Sequence, residues 1–94
     1  MRERVIWKYE IPIADEFTLK LPHEAKIIHI DIQRGRPQMW VLVDPTEELT
    51  EYQFIVLRTG QPIPTDKYPS YKGTFQSPIG DEVFHVFEVY EIPF

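Results

Sequence analysis

Three histidines, His23, His29 and His85, are the side chains best suited to holding a metal as neutral nitrogen ligands, because cysteine is absent. His29 and Asp31 lie two apart, so on a strand they point the same way and could chelate together. They also alternate with Ile28, Ile30 and Ile32, and that pattern makes them the polar face of a half-buried strand. His85 sits between Phe84 and Val86 and is expected to be a partly buried histidine bonded to a neighbour. Nucleophilic catalysis lacks its parts. The two serines, Ser70 and Ser77, each adjoin a proline and lie outside any Gly-x-Ser-x-Gly elbow. Gly35, Gly60, Gly73 and Gly80 stand apart, so no glycine-rich phosphate loop forms. Fifteen acids produce chance carboxylate pairs in any small domain and do not by themselves indicate acid–base chemistry. The chain is expected not to be an enzyme and to need no metal or cofactor.

Binding is a stronger reading than catalysis. Arg34 and Arg36 flank the tip of a turn, and Lys67, Tyr68, Tyr71 and Lys72 interleave cations with rings. A small β-domain can use such residues to stack bases or hold a phosphate. Charge argues against duplex nucleic acid: 10 Lys+Arg against 15 Asp+Glu give −5. Residues 48–94 are less favourable still, with three cations (Arg58, Lys67, Lys72) against seven acids. A small anionic ligand asks only for two or three donors, so it stays within reach. A DNA mimic would concentrate far more acid on one face than this chain carries.

The elements that must position these residues are strands. Ninety-four residues form a single domain, 1–94, with no room for a second core. Period-two alternation runs through the chain. Val5, Trp7, Tyr9 and Ile11 share a face before Pro12 ends the strand. Phe17, Leu19 and Leu21 follow, and then Ile28, Ile30 and Ile32. Arg34-Gly35-Arg36-Pro37 turns the chain into Met39–Val43, so residues 26–43 form a hairpin. Asp44 could cap one helical turn over Pro45–Leu49. Tyr52, Phe54 and Val56 alternate with Gln53, Ile55 and Leu57. Thr59–Pro69 reads as a long, proline-stiffened loop, and Tyr71–Gln76 as a short strand. Glu82–Ile92 alternates apolar residues on both faces.

The result is an all-β domain of about seven mainly antiparallel short strands, a small sandwich or barrel with at most one short helical turn. The expected core is Trp7, Ile28, Ile30, Ile32, Val41, Val43, Phe54, Val56, Phe75, Phe84, Val86 and Phe87. Some of these must face outward, since neighbours such as Val86 and Phe87 occupy opposite faces. Aromatics on both faces of Glu82–Ile92 exceed what one small core buries, which predicts a homodimer or larger assembly, unless that strand is central. The longest apolar run, Met39–Val43, is five residues where a membrane span needs about 20, and no signal-peptide stretch follows Met1-Arg2-Glu3-Arg4. A chain soluble in the cytoplasm is expected.

From Ile6-Trp7-Lys8-Tyr9-Glu10-Ile11-Pro12 onward the chain resembles a family of small all-β proteins encoded by tailed bacteriophages and prophages. The likeness continues at Leu21-Pro22, Ala25-Lys26-Ile27 and Met39-Trp40-Val41-Leu42-Val43-Asp44-Pro45. It returns at Thr59-Gly60-Gln61-Pro62-Ile63-Pro64, Tyr71-Lys72-Gly73-Thr74-Phe75 and Phe84-His85-Val86-Phe87-Glu88. The resemblance implies a phage-encoded accessory protein of the host cytoplasm and transfers no catalytic or ligand residue. The leading expectation is a non-catalytic protein that binds a host macromolecule or a small anionic ligand, as an inhibitor of a host enzyme or defence system would. The alternative is a minor structural or assembly factor of the phage particle. The expected binding residues are Arg34, Arg36, Arg58, Gly60, Lys67, Tyr68, Tyr71 and Lys72, on a surface formed by Thr59–Pro64 and Lys67–Gly73 with the Arg34–Arg36 tip. Prolines there pre-order the backbone, and the tyrosines offer stiff amphipathic contact area.

Overall fold

The computed structural model describes residues 3–91 of the chain. It contains seven strands: β1 (Val5–Glu10), β2 (Glu16–Pro22), β3 (Lys26–Gln33), β4 (Arg36–Val43), β5 (Leu49–Arg58), β6 (Lys67–Gln76) and β7 (Val83–Glu91). They form a three-stranded sheet in the order β1-β4-β3 and a four-stranded sheet in the order β2-β5-β7-β6. Every pairing is antiparallel. The sheets approach each other along β3 and β6 without joining in one hydrogen-bonded ladder, so the domain is two sheets on a shared core and not a closed barrel. Ile92, expected at the end of the last strand, lies outside the described residues, as do Met1 and Arg2.

No helix forms among the described residues. Over Pro45–Leu49 the chain turns instead. The Asp44 carboxylate accepts from the Thr46 amide at 2.9 Å and its hydroxyl at 2.6 Å, and the Glu47 amide donates to the Asp44 carbonyl at 3.1 Å. Asp44 thus caps a turn that ends before a helix can propagate. The β3–β4 hairpin closes through Arg34 and Gly35, with φ of 53° and 75°. Two successive positive φ values suit the right-handed twist of the flanking strands, so the arginine shares a conformation expected of the glycine alone.

The core draws on both sheets: Ile11, Ile30, Met39, Val41 and Val43 from the three-stranded side, and Leu21, Phe54, Val56, Phe75 and Val86 from the other. Register explains why. Val5, Trp7 and Tyr9 face Val43, Val41 and Met39, and Val56 faces Val86. Three expected core members lie elsewhere. A bulge between Ile27 and His29 shifts the phase of β3, so Ile27, Ile30 and Ile32 turn inward while Ile28 is 44% exposed. Trp7 is on the inner face of β1 but 37% exposed, because β1 is an edge strand. Phe87 occupies the opposite face of β7 from Val86 and is half-buried there.

A second bulge, at Lys72 in β6, lies between Tyr71 and Gly73. Gly73 lies where β6 passes close against Ile30 of β3. A Cβ built there would lie 2.8 Å from the Ile30 Cβ, so only glycine leaves room for β3. β6 also begins earlier than expected, at Lys67, and contains Pro69. It is the edge of its sheet, where a residue without an N–H breaks no ladder bond. The connecting loop therefore shortens to Thr59–Asp66.

Candidate functional site

Cross-strand partners share a face, so the register of the four-stranded sheet assigns each side chain to a side. On the outer side, away from the core, Ile55 and Leu57 of β5 lie beside Phe87 and His85 of β7, which lie beside Tyr71 and Thr74 of β6. Val89 pairs with Pro69 on the same side. The middle of this face is apolar enough to cover itself: Ile55 and Val89 are 7% and 5% exposed although neither belongs to the core cluster. Tyr71, on the same face, is 59% exposed, with its ring edge-on to Phe87 at 5.6 Å.

A hydrogen-bonded row borders the apolar centre. The Tyr71 hydroxyl meets Thr74 Oγ1 at 2.6 Å, Thr74 Oγ1 meets His85 Nδ1 at 3.0 Å, and His85 Nε2 meets Thr59 Oγ1 at 2.8 Å. A neutral imidazole offers one donor and one acceptor, so hydroxyls that can play either part satisfy both nitrogens. Both partners of the ring are hydroxyls and neither is a carboxylate, so this row orients side chains and does not build the base of a catalytic triad. It ties the Thr59 end of the loop to β7 and β6, a connection reinforced by the Thr59 amide donating to the Val83 carbonyl at 3.2 Å.

Beyond Phe54–Glu88 the pairing of β5 with β7 ceases, and a depression of about 300 Å³ opens there between Gln53, Ile55, Lys67 and Val89. A second, of about 360 Å³, lies between Arg4, His23, Glu24, Asp44 and Glu47. Both sit at the small end of the range for ligand pockets. Among the described residues no cluster of three or more His, Asp or Glu is placed to hold a metal. His29 lies 3.4 Å from Asp31 on the polar side of β3, its ring tilted against Trp40 at 5.6 Å.

The expected binding residues are distributed over more than one surface. Tyr68 and Tyr71 are three apart on one strand and therefore face opposite sides: Tyr71 outward, Tyr68 on the core side paired with Tyr90. Lys67 lines the first depression. Gly60, with φ of 91°, shapes the turn in which the Gln61 amide donates to the Arg58 carbonyl at 3.0 Å. Three of the cations are already paired: Arg58 with Glu82 at 2.8 Å, Arg36 with Glu10 at 3.4 Å, and Lys72 with Glu88 at 3.9 Å. Arg34 and Arg36 belong to the other sheet, at the hairpin tip.

Reasoning from sequence included Thr59 and Tyr71 in the candidate surface but passed over Thr74, His85, Ile55 and Phe87 as parts of it. The available signal was apolar residues on both faces of β7, which marks a strand with something to cover on each side. On the core side of the same strand Glu88 is buried, 7% exposed, between Phe54 and Ser70. Tyr90 lies beside it, 48% exposed, and partial burial together with the Glu88 charge pushes the Tyr90 phenol up to about 12. Tyr52 is structural: its hydroxyl accepts from the Ala25 amide at 3.0 Å and donates to the Pro22 carbonyl at 3.1 Å.

Comparison with known proteins places residues 2–93 within a family model described as Domain of unknown function (DUF7352). No curated protein and no solved structure matches the chain.

Proposed function

We propose that this chain, which belongs to the DUF7352 family, is a non-catalytic binding protein that engages a protein partner through the outer face of β2-β5-β7-β6. The observation that supports this reading most directly is Tyr71, exposed at 59%, edge-on to Phe87 and tethered to the Thr74–His85–Thr59 row. An apolar centre with an aromatic anchor and a polar hydrogen-bonded border is the anatomy of a protein interface. The tethered ring is pre-oriented, so little rotamer freedom is lost on binding. A small anionic ligand is the weaker reading, because Arg36, Arg58 and Lys72 each already face a carboxylate. The resemblance to phage-encoded proteins supports the further reading that the partner is a host protein met in the cytoplasm of an infected cell.

The test compares tagged wild type, Tyr71→Ala and Tyr68→Ala in pull-downs from infected cells. One host protein should be retained by wild type and Tyr68→Ala and lost by Tyr71→Ala, with all three folded by circular dichroism. Retention by Tyr71→Ala would overturn the assignment of the face. Recovery of the chain at stoichiometric levels in purified virions would instead establish an assembly role.

A further inference from the structure

The two sheets have four outer strands, and three of them are blocked against further pairing. β3 and β6 lie against each other, with Pro69 in β6, and β2 carries Lys20 and ends on Pro22. β1 carries one lysine, Lys8, whose ammonium is drawn across the sheet to Gln33 Oε1 at 2.6 Å, and among the described residues it lies against no second strand edge. Val5, Ile6 and Trp7 are 39%, 56% and 37% exposed, and Val5–Glu10 contains no proline. Among the described residues the strand pairs with β4 alone.

The sequence of this edge is complementary to itself. In an antiparallel pair, residues opposite each other must share a face and must both direct their backbone groups to the shared edge. For two copies of β1 this allows only registers that pair odd with odd and even with even. Centring the pair on Trp7 sets Arg4 opposite Glu10 of the second copy and Glu10 opposite its Arg4. It also sets Val5 against Tyr9 and Ile6 against Lys8. A shift of one step toward the N-terminus sets Arg4 against Lys8, and one step the other way sets Lys8 against Lys8. Each neighbouring register thus meets like charges, while the central one gains two opposite-charge pairs.

We infer that β1 pairs antiparallel with β1 of a second copy about Trp7, joining two three-stranded sheets into one continuous six-stranded sheet across a twofold axis. Main-chain hydrogen bonds between the strands supply the attraction, and the Arg4–Glu10 pairs select the register. The face proposed for partner binding lies on the other sheet and stays open in this dimer.

The absence of native cysteine makes a trapping experiment direct. Residue 7 alone lies opposite its own copy in the inferred register, at a Cα separation a disulfide can span. Under mild oxidation Trp7→Cys should yield a covalent dimer and Ile6→Cys should not. Sedimentation of the unmodified chain should show a concentration-dependent shift from 11.2 kDa toward twice that mass. Arg4→Glu or Glu10→Arg alone should weaken dimerisation by about tenfold or more, and the double reversal should restore it. A mass of 11.2 kDa at every concentration would overturn the inference. So would crosslinking of Ile6→Cys as readily as Trp7→Cys, or a double reversal that fails to restore the dimer.

Discussion

At Gly73 a single atom matters, and at Tyr90 a single proton. An added methyl at Gly73 would sit 2.8 Å from the Ile30 Cβ, 3.0 Å from its Cδ1 and 3.1 Å from its Cγ1. No rotamer change moves a Cβ, so the strands themselves would have to part. Gly73→Ala should cost about 1–3 kcal/mol by overpacking, read as a lower urea midpoint with an unchanged slope. Tyr90 responds to pH instead. Its folded-state value, about 12, lies above the ordinary 10.0, so the fold favours the neutral phenol. That contribution to stability is complete below pH 10.0 and is lost as pH rises through about 12. Tyr90→Phe removes the titrating proton. Urea unfolding between those limits should show wild type losing stability relative to Tyr90→Phe, and parallel curves would refute the assignment.

A strand's identity is written in its alternation, whereas its phase is set by its partner. That distinction separates what the sequence revealed from what it concealed. Alternation located all seven strands and the β3–β4 hairpin, because apolar residues at every second position leave few other ways to bury one face. It could not reveal the bulges at Ile28 and Lys72, each of which reverses the side chains on one side of it. Ile28 is 44% exposed and Ile30 7%, although they look equivalent in sequence. Ile28→Thr should therefore fall within about 0.5 kcal/mol of wild type, while Ile30→Thr should cost at least about 2 kcal/mol in chemical denaturation. Equal effects would place the bulge elsewhere. The binding surface was legible to a similar degree. Tyr71 and the Thr59–Gly60 loop were recognisable as contact chemistry, but Tyr68 was grouped with Tyr71 although an odd spacing on one strand separates their faces. Thr74 and His85 are eleven residues apart and meet only because β6 pairs with β7 in this register.

In the molecule as a whole, neither sheet has a core of its own. The apolar faces of both close on a single cluster that runs from Val43 and Met39 to Phe54 and Val86. The sheets should therefore unfold together, and the positions of the two tryptophans allow this to be tested. Trp7 is in β1 and Trp40 in β4, both in the three-stranded sheet, so selectively excited tryptophan fluorescence reports on that sheet alone. Val86 lies in the centre of the other sheet and is fully buried. Val86→Ala leaves a cavity in the shared core and should cost about 2 kcal/mol. For a domain of this size that lowers the melting temperature by roughly 10 °C. If the core is one cooperative unit, tryptophan fluorescence must register the full shift, coincident with far-ultraviolet circular dichroism, although neither tryptophan belongs to the altered sheet. Were the sheets independent, fluorescence would keep the wild-type midpoint while circular dichroism split into two transitions. The measurement should be made on dilute protein, where β1 pairing between copies adds no concentration-dependent stability to the tryptophan-bearing sheet.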